Sequence, residues 1–441
     1  MTNKNIPVVA KELLVPFIII TSLFALWGIA NDLTNPMVSA FKKVMPELSH
    51  TQASLVQFAF YFGYFFMAMP AALFIRKFSY KSGILLGLAL YVMGAFLFYP
   101  AAQLASFNFY LISLWVITCG LAFLETTSNP LVLALGHPET ATRRLNLAQA
   151  FNPVGSLTGM LMAQVLVIGS LRSNDYSQAA YSALSSEEMA AIRENDLNII
   201  SLPYIGLGIL VLVILITVVF IKIPATAEQQ KMGLKESFQK LISNKRYVLG
   251  VVAQMFYVGA QIMCWTYIYQ YVDFLNASLA ADQQLTATWF NMAAMIMFLS
   301  GRWIGTALMK NVVPAQLLML FGVAGASCLA VLILVQGVLG LYALVLTSMF
   351  MSIMFPTIYG IALKDMGDEA KIGSAGLVMA IVGGSFGPIL FGSLLDMGGP
   401  DLADVRVLGF IPEIAFAFIV PLVCLVVVAV YGFLSNRENK I

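Results

Sequence analysis

Runs of roughly 20 apolar residues recur along the whole of this 441-residue chain, each long enough to cross about 30 Å of hydrocarbon as a helix. They fall at about 14–38, 54–75, 83–103, 107–134, 145–170, 199–222, 247–272, 287–309, 314–335, 339–363, 372–396 and 408–434. With 60% hydrophobic and 10% charged residues, against about 25% charged in soluble domains, the chain has more apolar surface than a soluble core absorbs. The reading is an all-α integral membrane protein of twelve transmembrane helices in two six-helix halves. The halves are residues 1–223 and 247–441, joined by a linker at 224–246 in which Lys235 to Ile242 has the spacing of a short surface helix. The first run lacks a short apolar core followed by a small-residue cleavage site, so it reads as a retained span.

The basic residues give the chain an orientation. With the N-terminus inside, the cytoplasmic segments hold Arg76, Lys77, Arg143, Arg144, Lys231, Lys235, Lys240, Lys245, Arg246, Arg302, Lys310 and further Lys and Arg. The other side holds only Lys42, Lys43, Arg172, Arg193 and Arg406. The positive-inside rule then puts both termini in the cytoplasm, and it explains the basic linker without invoking nucleic acid. Cys119, Cys264, Cys328 and Cys424 lie in apolar runs with no CxxC pair, which points to small core residues and neither disulfide nor zinc. His50 and His137 are both placed in loops, so no buried His suggests a catalytic triad or metal centre. No GxxxxGK[ST] motif is present, so no ATP-hydrolysing phosphate loop is expected.

Twice a lone carboxylate stands inside an apolar run about one helical turn ahead of an Asn-Pro pair: Asp32-Leu33-Thr34-Asn35-Pro36 and Glu125-Thr126-Thr127-Ser128-Asn129-Pro130. An ionisable group in a span costs at least about 2.5–3.5 kcal/mol on insertion scales and is normally turned to a protein cavity and tied to function. Each proline also frees an upstream carbonyl, tolerable at membrane depth only where backbone lines protein or water. Two such sites imply a polar pathway through a bilayer, and therefore transport. A carboxyl removed from water resists ionisation, so Glu125 is a candidate proton-coupling group, with Asp32 as a second; the alternative for each is a structural carboxylate satisfied by a neighbouring helix. The first and fourth spans, which carry the motifs, are equivalent if each half consists of two inverted three-span units, and spans 1, 4, 7 and 10 would then line a central cavity.

Uncharged polar and aromatic residues in the spans suit a polyhydroxylated, neutral ligand. Asn31 and Asn35 flank Asp32; Gln149 and Asn152, with Asn146, are spaced three apart in the fifth span; Gln57, Gln254, Gln261 and Asn291 lie in others. Amides donate and accept hydrogen bonds without adding charge. Phe60, Tyr61, Tyr64, Trp265, Tyr267, Tyr269 and Phe355 offer ring faces to a pyranose, or serve as packing and interface anchors. Glycines crowd the fifth and eleventh spans (Gly155, Gly159; Gly383, Gly384, Gly387, Gly392), where they permit close helix approach.

These motifs carry a resemblance. Trp27-Gly28-Ile29-Ala30-Asn31, Gln57 to Phe65, Phe78 to Gly83, Leu124 to Pro130, Arg144 to Gln149, Tyr257 to Gln261, Gly301-Arg302 and Phe350 to Ile353 together resemble the fucose:proton symporter family of the major facilitator superfamily. The resemblance implies the major facilitator fold and proton-driven uptake of a neutral hexose or deoxyhexose, with L-fucose first and glucose, galactose or N-acetylglucosamine as alternatives. It puts the coupling Glu on Glu125 and the cavity amides on Gln149 and Asn152. The family's first-helix Asp aligns with Asn35, whereas this chain has its acid at Asp32, nearly one turn earlier on about the same face, so that role is transferred to Asp32. The expected binding set is Asn31, Asn35, Gln57, Tyr61, Gln149, Asn152, Gln261, Trp265 and Phe355, with no metal and no cofactor beyond the proton gradient. Expected partners are a small neutral sugar, protons and the lipid of a bacterial inner membrane, for a chain acting as a monomer and not as an enzyme. A drug:proton antiporter is the rival within transport, since Asn152-Pro153-Val154-Gly155 loosely resembles an antiporter motif; a membrane-embedded enzyme or sensor acting on lipid-linked sugar is the rival outside it.

Overall fold

The computed structural model describes residues 7–34, 37–45, 47–48, 50–176, 180–181, 184–221, 233–280, 283–395 and 406–438. Among them, eleven helical stretches are long and apolar enough to cross a membrane: Lys11–Thr34, Phe58–Lys77, Tyr80–Gln103, Phe107–Ala134, Pro138–Ser170, Ser186–Phe220, Lys245–Asn276, Pro314–Val335, Gly337–Ala362, Ala370–Leu395 and Glu413–Arg437. The helix Ala287–Leu308, 22 residues long and made less apolar by Asn291 and Arg302, occupies the eighth position and brings the spans to twelve. The chain is thus a multi-pass membrane protein with its spans where hydropathy puts them. The linker helix also forms, at Leu234–Ser243.

Hydrophobicity sets where the spans lie, and caps and prolines set where their helices start and break. Ser79 accepts from the Ser82 amide at the start of the third span, Asn244 accepts from the Tyr247 amide at the start of the seventh, and Ser185 with Glu188 forms a reciprocal capping box. That box starts the sixth helix at Ser186, well before the apolar run. Pro153 and Pro356 each follow an interruption, dividing the fifth span into Ala141–Gln149 and Asn152–Met162 and the tenth into Gly337–Met351 and Met354–Ala362. Pro130, by contrast, is contained within the continuous helix Phe107–Ala134. A two-residue antiparallel pair, Arg406–Val407 with Ile411–Pro412, precedes the twelfth span, which therefore begins at Glu413 and not at 408. His50 opens the helix His50–Lys77 and is not a loop residue.

The contacts group the chain into two compact units, one of residues 12–131 and 151–228, the other of 1–11, 132–150 and 229–441. In the first unit, the first span packs on the helix Asn152–Met162 by direct backbone apposition: a Cβ at Gly155 would strike the Ala25 carbonyl. The sixth span packs on the third, with Tyr204 stacked on Phe98 at 3.8 Å between ring centroids. In the second unit, the seventh span packs on the eleventh in the same manner, a Cβ at Gly383 striking the Met255 carbonyl. The ninth packs on the twelfth, and the helix Ala141–Gln149 packs on Met354–Ala362.

Two arginines counted in the cytoplasmic segments are buried. Arg144 is inaccessible, and its guanidinium donates to the Val132 and Leu133 carbonyls at the end of the fourth span at 2.7 and 2.5 Å, and to Thr140 Oγ1 at 3.0 Å. Arg302 lies inside the eighth span.

Candidate functional site

The first unit holds both carboxylates and part of the predicted polar set. In the run Glu125 to Asn129, Thr126, Thr127, Ser128 and Asn129 are inaccessible and Glu125 alone is half-buried. Thr127 Oγ1 turns back to the Phe123 carbonyl at 2.6 Å, and the Asn129 amide donates to the Glu125 main-chain carbonyl at 3.1 Å. The packed face of the helix thus absorbs its other polar side chains, and Glu125 is the one residue of the run that keeps accessible surface. Tyr64, in the second span, lies within electrostatic reach of Glu125, and Tyr61, one turn earlier, within reach of Asp32. Asp32 is 8% exposed near the end of the helix Leu14–Thr34, and Asn31 beside it is half-buried. Asn152 donates from Nδ2 to the Phe24 carbonyl at 3.1 Å, so the fifth span's amide is anchored on the first and keeps Oδ1 for another partner. Asn35 and the side chain of Gln57 lie outside the described residues.

The second unit gathers the remaining predicted residues. Gln149, 5% exposed, ends the helix Ala141–Gln149, and its main-chain carbonyl accepts from Arg302 Nη1 at 3.0 Å. Gln261, Trp265 and Phe355 are half-buried. Trp265 donates from Nε1 to Ser348 Oγ at 3.2 Å and meets Phe298 edge-on at 5.1 Å; Phe355 lies between Tyr257 and Tyr359, at 6.4 and 6.2 Å. Other candidates have structural tasks. Asn146, the third amide of the fifth-span series, donates to Thr357 Oγ1 at 3.1 Å and to the Thr142 carbonyl at 3.0 Å. Tyr267 donates to the Pro388 carbonyl at 2.7 Å and stacks on Phe391, and Tyr269, which is exposed, receives the Asn291 amide at 3.2 Å.

Three polar residues absent from the predicted binding set belong to this second cluster. Gln254 and Tyr257 are inaccessible on the seventh span, sharing a helix face at three-residue spacing. Neither the Gln254 amide atoms nor the Tyr257 hydroxyl has a hydrogen-bond partner among the described residues. Arg302, 3% exposed, reaches the electrostatic range of Tyr257 and places its guanidinium 4.8 Å from the Phe298 ring centre. The signal for Arg302 was its place inside an apolar run, where a cation is as costly as Asp32 or Glu125.

Twelve spans with proline breaks and carboxylates inside them define a polytopic membrane transporter, and the comparisons give its class. The chain belongs to the major facilitator superfamily, whose family profile matches residues 14–388. Within it, the chain is 51% identical to the L-fucose-proton symporter of Haemophilus influenzae, over 99% of this chain and all of that one. It is 33% identical to the L-fucose-proton symporter of Escherichia coli, over 93% and 92% of the two chains. Its structure is similar to a crystal structure of the E. coli fucose:proton symporter, with a TM-score of 0.83 and 31% identity over 96% of this chain and 98% of that one. The resemblance first seen in the motifs therefore extends through nearly every span.

Proposed function

We propose that this protein is a proton-coupled symporter that imports L-fucose across the bacterial inner membrane by alternating access. Likeness to L-fucose-proton symporters along the full chain supports the substrate. The observation that carries the mechanism is the burial pattern of the fourth span: of five consecutive polar residues, four are inaccessible and only Glu125 keeps accessible surface. A carboxylate in that position carries a charge that protonation removes. Protonation from the outer side makes the site neutral and able to take a neutral sugar; release to the cytoplasm restores the charge and resets the cycle. Asp32, with Tyr61 in reach, is the second acid.

Asn31, Gln149 and Asn152 present amides to sugar hydroxyls, and Trp265 and Phe355 present ring faces to the sugar's C–H surface. Asn35, Gln57, Tyr61 and Gln261 complete the proposed binding set. The proton gradient is the only driving force, with no cofactor. The halves 1–223 and 247–441 move about the site, the chain works as a monomer, and both termini are cytoplasmic.

The test separates coupling from carriage. In proteoliposomes, Glu125→Gln should abolish gradient-driven sugar accumulation while retaining sugar-for-sugar counterflow, because glutamine stands in for the protonated acid. Full accumulation by this variant would remove Glu125 from the coupling role.

A further inference from the structure

We infer that Arg302 is a positioning residue for the sugar site: it captures the Gln149 carbonyl that Pro153 leaves without its helical donor, and so fixes where the Gln149 amide stands. The inference rests on the proposed role of Gln149 in holding sugar. In an α-helix the N–H of residue 153 would bond the carbonyl of residue 149, and proline has none. The helix accordingly ends at Gln149, with the Ala150 amide turned back to the Ala148 and Leu147 carbonyls. Arg302 Nη1 donates to this carbonyl at 3.0 Å.

The rest of the guanidinium's surroundings explain little of its presence. It faces the Phe298 ring and Tyr257, has no salt bridge among the described residues, and its Nε is without a partner. A buried cation is expensive unless it is matched. The match here is the carboxyl-terminal end of the helix Ala141–Gln149, where unsatisfied carbonyls carry partial negative charge. Two further contacts hold that helix along its length: Asn146 on Thr357, and Thr142 against Gly360, where a Cβ would come within 2.6 Å of the Thr142 hydroxyl oxygen. Arg302 completes the series at the residue whose side chain bears the amide.

Restoring the missing donor should make Arg302 dispensable. Arg302→Gln should weaken L-fucose binding by at least about tenfold, as expected for a lost charge-assisted hydrogen bond, appearing in KM more than in maximal rate. Pro153→Ala returns the N–H to position 153, so adding Arg302→Gln to that variant should cost less than about threefold. Arg302→Lys, which keeps one donor, should fall between. Equal losses in both backgrounds, or no loss in either, would overturn the inference. Amide hydrogen exchange over residues 144–155 provides a reading independent of sugar: faster in Arg302→Gln than in the unaltered protein, and slowed again by Pro153→Ala. If Arg302→Gln does not assemble, Arg302→Lys is compared with and without Pro153→Ala by the same two measurements, and a deficit that Pro153→Ala leaves unchanged overturns the inference. Absence of sugar binding by the unaltered protein counts against the proposed substrate alone, and the exchange result then decides the role of Arg302.

Discussion

At the scale of single residues, what matters is which polar side chains the packed faces absorb. Thr126, Thr127, Ser128 and Asn129 are polar like their neighbour, yet all four are inaccessible while Glu125 is half-buried. Thr126 Oγ1 has no hydrogen-bond partner among the described residues, so Thr126→Val removes a buried hydroxyl that makes no bond. That change should be neutral to mildly stabilising and leave gradient-driven uptake within about twofold of the unaltered protein. Abolition of uptake by Thr126→Val would put the hydroxyl in the pathway and weaken the assignment to Glu125. The carboxylates were legible in the sequence because a charge inside an apolar run is conspicuous whatever surrounds it. Gln254 and Tyr257 were less so, since an amide or phenol in a span has the same appearance whether it bonds a neighbour or faces a ligand. Tyr267 shows the converse: it was a ring-face candidate by composition, and it is occupied by the Pro388 carbonyl and the Phe391 ring.

At the scale of elements, glycine and proline decide how the spans meet and bend. Two helix pairs, the first span with Asn152–Met162 and the seventh span with the eleventh, touch backbone to backbone at Gly155 and Gly383. Alanine in a helix interior normally gains about 1 kcal/mol over glycine. Gly155→Ala should reverse that sign and lower the thermal unfolding midpoint in detergent by several degrees, because its Cβ meets the Ala25 carbonyl. Gly206→Ala, in the sixth span with nothing within 4 Å of its Cβ, should hold or raise the midpoint. A matched response at the two positions would contradict the packing. The glycine-rich spans were readable from sequence, but their partners were not, since small-residue spacing does not name the opposing helix. Likewise the break at Gln149 follows from Pro153, while the uninterrupted helix through Pro130 shows that proline permits a break without enforcing one.

At the scale of the whole molecule, hydropathy places twelve spans and the bilayer explains why it succeeds: a helix must be about 20 apolar residues long to cross. The eighth span carries the buried cation that loop counting assigned to the cytoplasm. Removing Arg302 and Arg144 from the cytoplasmic tally still leaves the remaining Lys and Arg heavily biased to one side, so the proposed orientation rests on the others. A C-terminal reporter that is active only in the cytoplasm should therefore be active on this protein; an inactive reporter on well-inserted protein would reverse the orientation and the direction of the proposed proton flow.

The central claim is coupled movement of sugar and proton, and the most direct measurement is the external pH of a suspension of proteoliposomes when a sugar is added. Adding L-fucose should make the outside more alkaline, Glu125→Gln should abolish that signal, and D-galactose, D-glucose and N-acetylglucosamine should give little. Alkalinisation with one of those three in place of L-fucose would keep the symport and change the substrate. No pH change with any of the four, from protein that is folded and inserted, would contradict proton-coupled sugar import.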